Sequence, residues 1–159
     1  MTKWAEQAAV TLTTALAALV SNGGGVANAS ANLDCRAGGN AEEMFCAIFE
    51  LSALQWGTTP LTNVVSGTVV AELFLVPAVD GTYFADVDIA NASTDFISPQ
   101  HYVGSFINDL HNPVYNTSYR FATQAIDLYP LLYKPYLINR SGYTYNANAV
   151  LKAVAAKSQ

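Results

Sequence analysis

The chain has few charged residues. Only 12% of its 159 residues are Asp, Glu, Lys or Arg, about half the share usual in soluble globular proteins. The seven Lys and Arg residues are scattered, and without a basic stripe for phosphate contacts no nucleic-acid partner is expected. So few like charges do little to keep copies of a protein apart. The composition therefore favours a protein that packs against neighbouring subunits.

Cysteine and histidine are also scarce. The two cysteines, Cys35 and Cys46, include no Cys-x-x-Cys pair that would indicate zinc. They are able to form one disulfide, but two separate buried thiols are favoured because Cys46 lies in an apolar run. His101 and His111 lie ten residues apart, and the two thiols are far from them in the sequence. A zinc site needs a third and a fourth ligand, so we predict no metal site at these histidines.

No hydrophobic run is long enough to cross a bilayer, and no membrane partner is expected. Residues 8–20 are apolar, as in a secretory signal, but Glu6 interrupts the charged-then-apolar order of such signals. We predict that residues 1–20 form an extended N-terminal arm or a first strand. Residues 21–159 are then one domain, because a second core would be hard to build at this length.

Short apolar stretches separated by turn residues predict a mainly β fold. Residues 43–54 carry apolar side chains on both faces, which is typical of a strand buried twice or covered by a neighbouring subunit. Pro135 suits an edge strand or a bulge. Together the pattern predicts a single antiparallel β-sandwich, jelly-roll-like in type. Further strands are predicted at 69–76, 102–107, 119–128 and 133–138, with a turn at 80–82 and a hairpin turn at 139–142.

Three aspartates, Asp80, Asp86 and Asp88, are a weak calcium candidate. Their spacing does not match an EF-hand loop, and aspartates in turns ordinarily accept hydrogen bonds from their own backbone. No metal or other cofactor is therefore predicted.

The chain also lacks a Gly-x-Ser-x-Gly nucleophile elbow, and its glutamates form no specific pair of catalytic carboxylates. We predict that it is not an enzyme.

Tyrosine is abundant, with nine residues. Its large apolar ring and polar hydroxyl suit protein interfaces and carbohydrate-binding faces alike, or simply the rim of a small β-domain. The candidates for interface contacts are Trp4, Tyr115, Tyr119, Tyr129, Tyr133 and Tyr136.

Three blocks of the sequence resemble small structural proteins of tailed bacteriophages. The first, at 70–86, is a strand ending in Leu-Val-Pro that leads through Asp-Gly-Thr to an aromatic residue and Asp. The second is His-Tyr-Val-Gly-Ser-Phe at 101–106, and the third is Tyr-Leu-Ile-Asn-Arg-Ser-Gly at 136–142. The resemblance implies a β-sandwich virion protein without catalytic residues. The chain departs from this pattern around its two cysteines and in the tyrosine-rich stretch before the third block.

On these grounds we predict a virion structural protein. Its most specific form is a capsid decoration or cement subunit that bridges capsid subunits and stabilises the phage head. The expected partners are the major capsid protein, other virion proteins and further copies of the chain, in particles assembled in the bacterial host cytoplasm. The alternatives are a tail, collar or fibre-attachment protein of the same virion, and a carbohydrate-binding β-sandwich module.

Overall fold

Eleven β-strands and one 3₁₀ turn make up the part of the chain that the computed structural model describes. That part comprises residues 4–6, 9–13, 26–28, 31–42, 44–56, 64–78, 80–84, 99–110, 113–114, 117–145 and 149–158. The strands are β1 (Trp4–Glu6), β2 (Val10–Thr13), β3 (Val26–Asn28), β4 (Leu33–Asp34), β5 (Cys46–Leu54), β6 (Val69–Pro77), β7 (Tyr102–Ile107), β8 (Tyr119–Ala122), β9 (Ile126–Asp127), β10 (Leu132–Asn139) and β11 (Val150–Ser158), and the 3₁₀ turn is Pro99–His101.

The strands form two antiparallel sheets. In the first, the order is β1–β11–β5–β8, with β2 also paired to β11 and β9 also paired to β5. In the second, the order is β3–β10–β6–β7, with β4 also paired to β10. One hydrophobic core holds residues of both sheets, including Phe49 and Leu51 of β5 and Leu73 of β6, all fully buried. The predicted antiparallel β-sandwich is therefore confirmed, while the jelly-roll-like connectivity stays a prediction.

The described part of residues 1–20 belongs to the first sheet. Trp4–Glu6 pairs with the last residues of β11, and Val10–Thr13 pairs with β11 further along. The Leu12 side chain is fully buried in the core, and its carbonyl accepts a hydrogen bond from the Ala31 N–H at 2.9 Å. Of the two predictions for this segment, the first strand fits these residues better than an arm.

Strand β5 is buried on one face only along its first half. Ala47, Phe49 and Leu51 are fully buried, whereas Ile48 is 37% exposed. Of the two predicted alternatives, burial on both faces within the domain does not fit this half of the strand, and cover by a neighbouring subunit stays a prediction. Towards its end the strand changes, because Ala53 adopts a φ of 53° and the register to β8 shifts between Leu51 and Leu54. Such a bulge alters which side chains face the core.

Pro135 does not lie in an edge strand. Strand β10 is internal, with β6 on one side and β3 and β4 on the other. On the β3 and β4 side, however, the register shifts between the pairs Tyr133↔Leu33 and Tyr136↔Asn28. Because proline has no N–H to donate, a central strand accepts it most readily at such an irregularity. Of the two predicted alternatives, an edge strand or a bulge, the irregularity fits and the edge does not.

Both predicted turns, at 80–82 and 139–142, are present, but the second does not join two paired strands. At 80–82, Gly81 has a φ of +81°, and the Asp80 carboxylate accepts hydrogen bonds from the Thr82 and Tyr83 N–H groups. At 139–142, Gly142 has a φ of +83°. This second turn does not close a hairpin, because β10 and β11 belong to different sheets. The segment predicted as one strand at 119–128 is likewise divided into β8 and β9.

The outer face of the second sheet carries a smaller hydrophobic cluster. Its side chains are nearly fully buried, and Phe84 packs against them. The Lys134 ammonium lies 5.7 Å from the ring centroids of both Phe84 and Tyr136, a cation–π geometry. The second sheet is therefore apolar on both faces. The buried members of this cluster are Phe74, Val76, Tyr136 and Ile138.

Among the described residues, no helix has the length and apolar character that a membrane span requires.

Candidate binding surface

An open cavity of about 250 Å³ lies where the ends of the two sheets meet. The second sheet contributes the end of β6, the start of β7 and the start of β10, and the first sheet contributes β9. The lining residues are Leu75, Pro77, Gln100, His101, Val103, Asp127, Leu128, Tyr129, Leu131 and Tyr133. Clefts between structural layers are common ligand sites, because apolar walls meet a few polar groups there.

Backbone hydrogen bonds fix the wall of the cavity that contains Tyr129. The Tyr129 N–H donates to the Tyr133 hydroxyl at 3.1 Å, and the Leu131 N–H donates to the Tyr129 carbonyl at 2.7 Å. The Leu131 carbonyl in turn accepts the Cys35 N–H at 3.0 Å. Because its backbone is held at both ends, the Tyr129 ring is presented from a fixed base although it is 71% exposed.

Three polar side chains line the same cavity. Gln100 and His101 belong to the 3₁₀ turn before β7, with 3.3 Å between Gln100 Nε2 and His101 Nε2. Burial lowers the pKa of His101 from its ordinary value of 6.5, so the imidazole is neutral at pH 7. Asp127 ends β9 and is exposed. The cavity thus offers one carboxylate, one amide and one neutral imidazole.

The predicted interface residues have different environments. Tyr133 and Tyr136 are 7% and 2% exposed, so their rings already contribute to packing within the chain. Tyr119 is partly buried, with its ring centroid 5.5 Å from that of Trp56. Tyr129 is the member of the set that the structure places at the surface among the residues it describes. Tyr115 and the side chain of Trp4 lie outside the described residues.

Nine large hydrophobic side chains are exposed in the described part of the chain. Two of them, Tyr83 and Tyr102, are tyrosines that the sequence analysis did not select. Their position just after a turn and at the start of a strand gave no such signal, since exposure there depends on tertiary neighbours. The nine are Phe45 (65%), Ile48 (37%), Val65 (52%), Tyr83 (71%), Tyr102 (45%), Ile107 (52%), Val114 (57%), Tyr129 (71%) and Leu131 (39%).

Strand β7 is an edge of the second sheet in the part of the chain that the structure describes. Within the described residues it pairs with β6 alone. Its sequence, Tyr-Val-Gly-Ser-Phe-Ile, contains no charged residue and no proline. Tyr102 and Ile107, at its two ends, are about half exposed. Natural proteins usually protect such edges with charge, proline or a covering element, so this one is suited to pairing with another chain.

The calcium candidate is only partly visible. The Asp80 carboxylate accepts two backbone hydrogen bonds in its own turn, which also lower its pKa. Asp86 and Asp88 lie outside the described residues. Within the part of the chain that is described, no three His, Cys, Asp or Glu side chains come together as a metal site.

The two cysteines are separate thiols, as favoured from the sequence. Cys35 is 5% exposed, and burial raises its pKa to about 11. Cys46 is partly buried. At pH 8 only about one Cys35 in a thousand is then the reactive thiolate.

We therefore expect a thiol reagent at pH 8 to modify Cys46 much faster than Cys35 in the folded protein. Peptide mass spectrometry after timed alkylation measures both rates in one sample. Cys46→Ser and Cys35→Ser variants are the matched controls, and denatured protein should label equally at both positions. Equal rates in the folded state would contradict the burial of Cys35.

No family model matches the chain, and no curated protein or solved structure matches it significantly. The resemblance to phage structural proteins stays a prediction from the three sequence blocks.

Proposed function

We propose that the chain is a virion structural protein, and specifically a decoration subunit that bridges capsid subunits on a tailed-phage head. The observation that carries the proposal is the uncharged strand β7, which among the described residues pairs with β6 alone and carries exposed Tyr102 and Ile107 at its ends. An extended segment of a capsid protein is able to add to this edge through main-chain hydrogen bonds.

The scarcity of charge supports the same proposal. The chain has 12% charged residues, and nine large hydrophobic side chains are exposed in the described part. Covering such a surface with a neighbouring subunit lowers the free energy of the system. A standard interface buries about 800 Å² on each partner, and apolar area contributes about 25 cal/mol per Å². Repeated over many copies, contacts of this kind would stabilise a shell against internal pressure.

The test is the composition of purified particles of the phage that encodes the chain. Quantitative mass spectrometry should find the protein in the particle at a copy number comparable to that of the major capsid protein. A few copies per particle would instead support the tail, collar or fibre-attachment alternative. Absence from the particle would contradict both.

Variants at the β7 edge test the contact itself. Tyr102→Lys combined with Ile107→Lys places charge at both ends of this edge, and we expect particle binding to fall by about tenfold or more. Thr11→Lys combined with Ala122→Lys adds the same charge at exposed positions of the first sheet and serves as the matched control. Equal binding by the two double variants would exclude the β7 edge as the contact.

A further inference from the structure

We propose that the cavity between the sheet ends is a binding site for one residue of a neutral carbohydrate, with Tyr129 as its aromatic platform. This inference does not depend on the virion proposal, because it rests on the cavity alone. The site is assembled from residues far apart in the sequence, namely the 3₁₀ turn before β7 and the segment that follows β9.

The size and walls of the cavity fit a single sugar ring. Its volume of about 250 Å³ is below the range of about 300–1,000 Å³ usual for drug-sized ligands. Leu75, Pro77 and Val103 contribute apolar lining, and Tyr129, whose side chain is largely exposed, lines the same cavity. The C–H face of a pyranose is apolar and packs on such an aromatic surface, while its hydroxyls remain free for polar contacts.

Hydrogen-bonding groups of both kinds are available to those hydroxyls. The Asp127 carboxylate accepts, the Gln100 amide donates and accepts, and the neutral His101 imidazole does both. The Tyr133 hydroxyl accepts the Tyr129 N–H at 3.1 Å, and no acceptor for its own proton is found among the described residues. Burial raises the pKa of Tyr133, so this hydroxyl remains a neutral donor.

Charge determines which class of polar ligand the site accepts. Neither lysine nor arginine occurs among the described residues that line the cavity, and burial keeps His101 uncharged at pH 7. The Asp127 carboxylate would repel a phosphate or a second carboxylate. A single carboxylate is also a poor cation site, because Ca²⁺ takes six to eight oxygen ligands. A neutral polyhydroxylated ring donates hydroxyl hydrogen bonds to Asp127 and brings no second negative charge beside it.

The probes are glucose, galactose, mannose and N-acetylglucosamine, with glucuronate as the charged counterpart of glucose. Each is titrated into the ¹⁵N-labelled full chain to about 50 mM, well above the Kd of about 1 mM expected for a single sugar. We expect at least one neutral sugar to shift the amides of residues 100–103 and 127–133. Glucuronate should bind at least about fivefold more weakly than glucose if glucose is the ligand.

Three substitutions distinguish a specific site from nonspecific binding. Tyr129→Ala should weaken sugar binding about tenfold, corresponding to the lost ring contact, while Tyr83→Ala removes an equally exposed tyrosine elsewhere and should change nothing. Asp127→Asn keeps a hydrogen-bonding side chain and removes the charge. It should therefore reduce the difference in affinity between glucose and glucuronate. Circular dichroism melting checks that each variant is folded.

Saturable shifts at the cavity that Tyr129→Ala reduces and Tyr83→Ala preserves would support the site. Absence of shifts with all four neutral sugars would overturn it, and so would shifts that map elsewhere or persist in Tyr129→Ala. If the sugars fail and the β7 double-lysine variant still loses particle binding, the sugar site is excluded while the virion proposal stands.

Discussion

Leu12→Ala should destabilise the protein by about 2–5 kcal/mol, the range measured for buried leucines whose removal leaves a cavity. Leu12 is fully buried, although it lies in a segment that the sequence also allowed as an arm. Its strand pairs with β11, so the side chain enters a core built mostly by distant parts of the chain. Urea unfolding followed by tryptophan fluorescence gives the free energy of unfolding.

Thr11→Ala is the matched control for Leu12→Ala. Thr11 is the neighbouring residue of β2 and is exposed, so its loss should change the free energy of unfolding by no more than about 0.5 kcal/mol. If both variants were equally stable, β2 would be a detachable arm and not part of the core. The comparison therefore separates the two interpretations of residues 1–20 without using the virus particle.

Trp56→Ala should have a comparable or larger effect, about 3–5 kcal/mol. The Trp56 side chain is fully buried, and its ring centroid lies 5.5 Å from that of Tyr119 and 6.2 Å from that of Phe121. The residue also forms a bridge to Tyr145, whose hydroxyl donates to the Val70 carbonyl of the other sheet at 2.7 Å. Removing the indole would therefore leave a large void beside a contact between the sheets.

Two further variants define how Trp56 acts. Its indole N–H is buried with no acceptor in the described part of the chain, so Trp56→Phe removes an unsatisfied donor that costs about 1–3 kcal/mol while it keeps an aromatic ring. The loss in free energy of unfolding should therefore be much smaller for Trp56→Phe than for Trp56→Ala. Phe45→Ala removes a 65% exposed ring and should be nearly neutral. A Trp56→Ala loss no greater than that of Phe45→Ala would contradict the packing described for this residue.

The strands were predictable where local sequence determines them. Residues 69–76 and 102–107 were recognised because an apolar run there is bounded by turn residues or polar loops. The 80–82 turn was recognised because only Gly81 readily adopts the positive φ that it needs. Pairing was not predictable in the same way. Pro135 indicated an edge or a bulge because the missing N–H is a property of the residue itself, whereas the register shift that accommodates it depends on how β3 and β4 meet β10.

The candidate site was largely invisible in the sequence. His101 was not predicted to be a site residue because the two thiols lie far from it in the sequence, and Asp127 lies 26 positions further along. Only the packing of one sheet end against the other brings them to a common cavity. Tyr129 was selected for its residue type, as were Tyr133 and Tyr136, but exposure distinguishes them and depends on the tertiary fold. Composition therefore indicated tyrosine as the residue type of interest but not which of the tyrosines is exposed.

The pairing of β1 and β2 with β11 also constrains how the chain is able to fold during synthesis. Both strands find this partner only when β11 has been made, more than a hundred residues later. Until then the Leu12 side chain has no β11 to pack with. Contacts so distant in sequence slow folding, because a large loop must close before they contribute free energy. The first sheet is thus completed only after β11 has been synthesised, and β1 and β2 are exposed to misassociation until then.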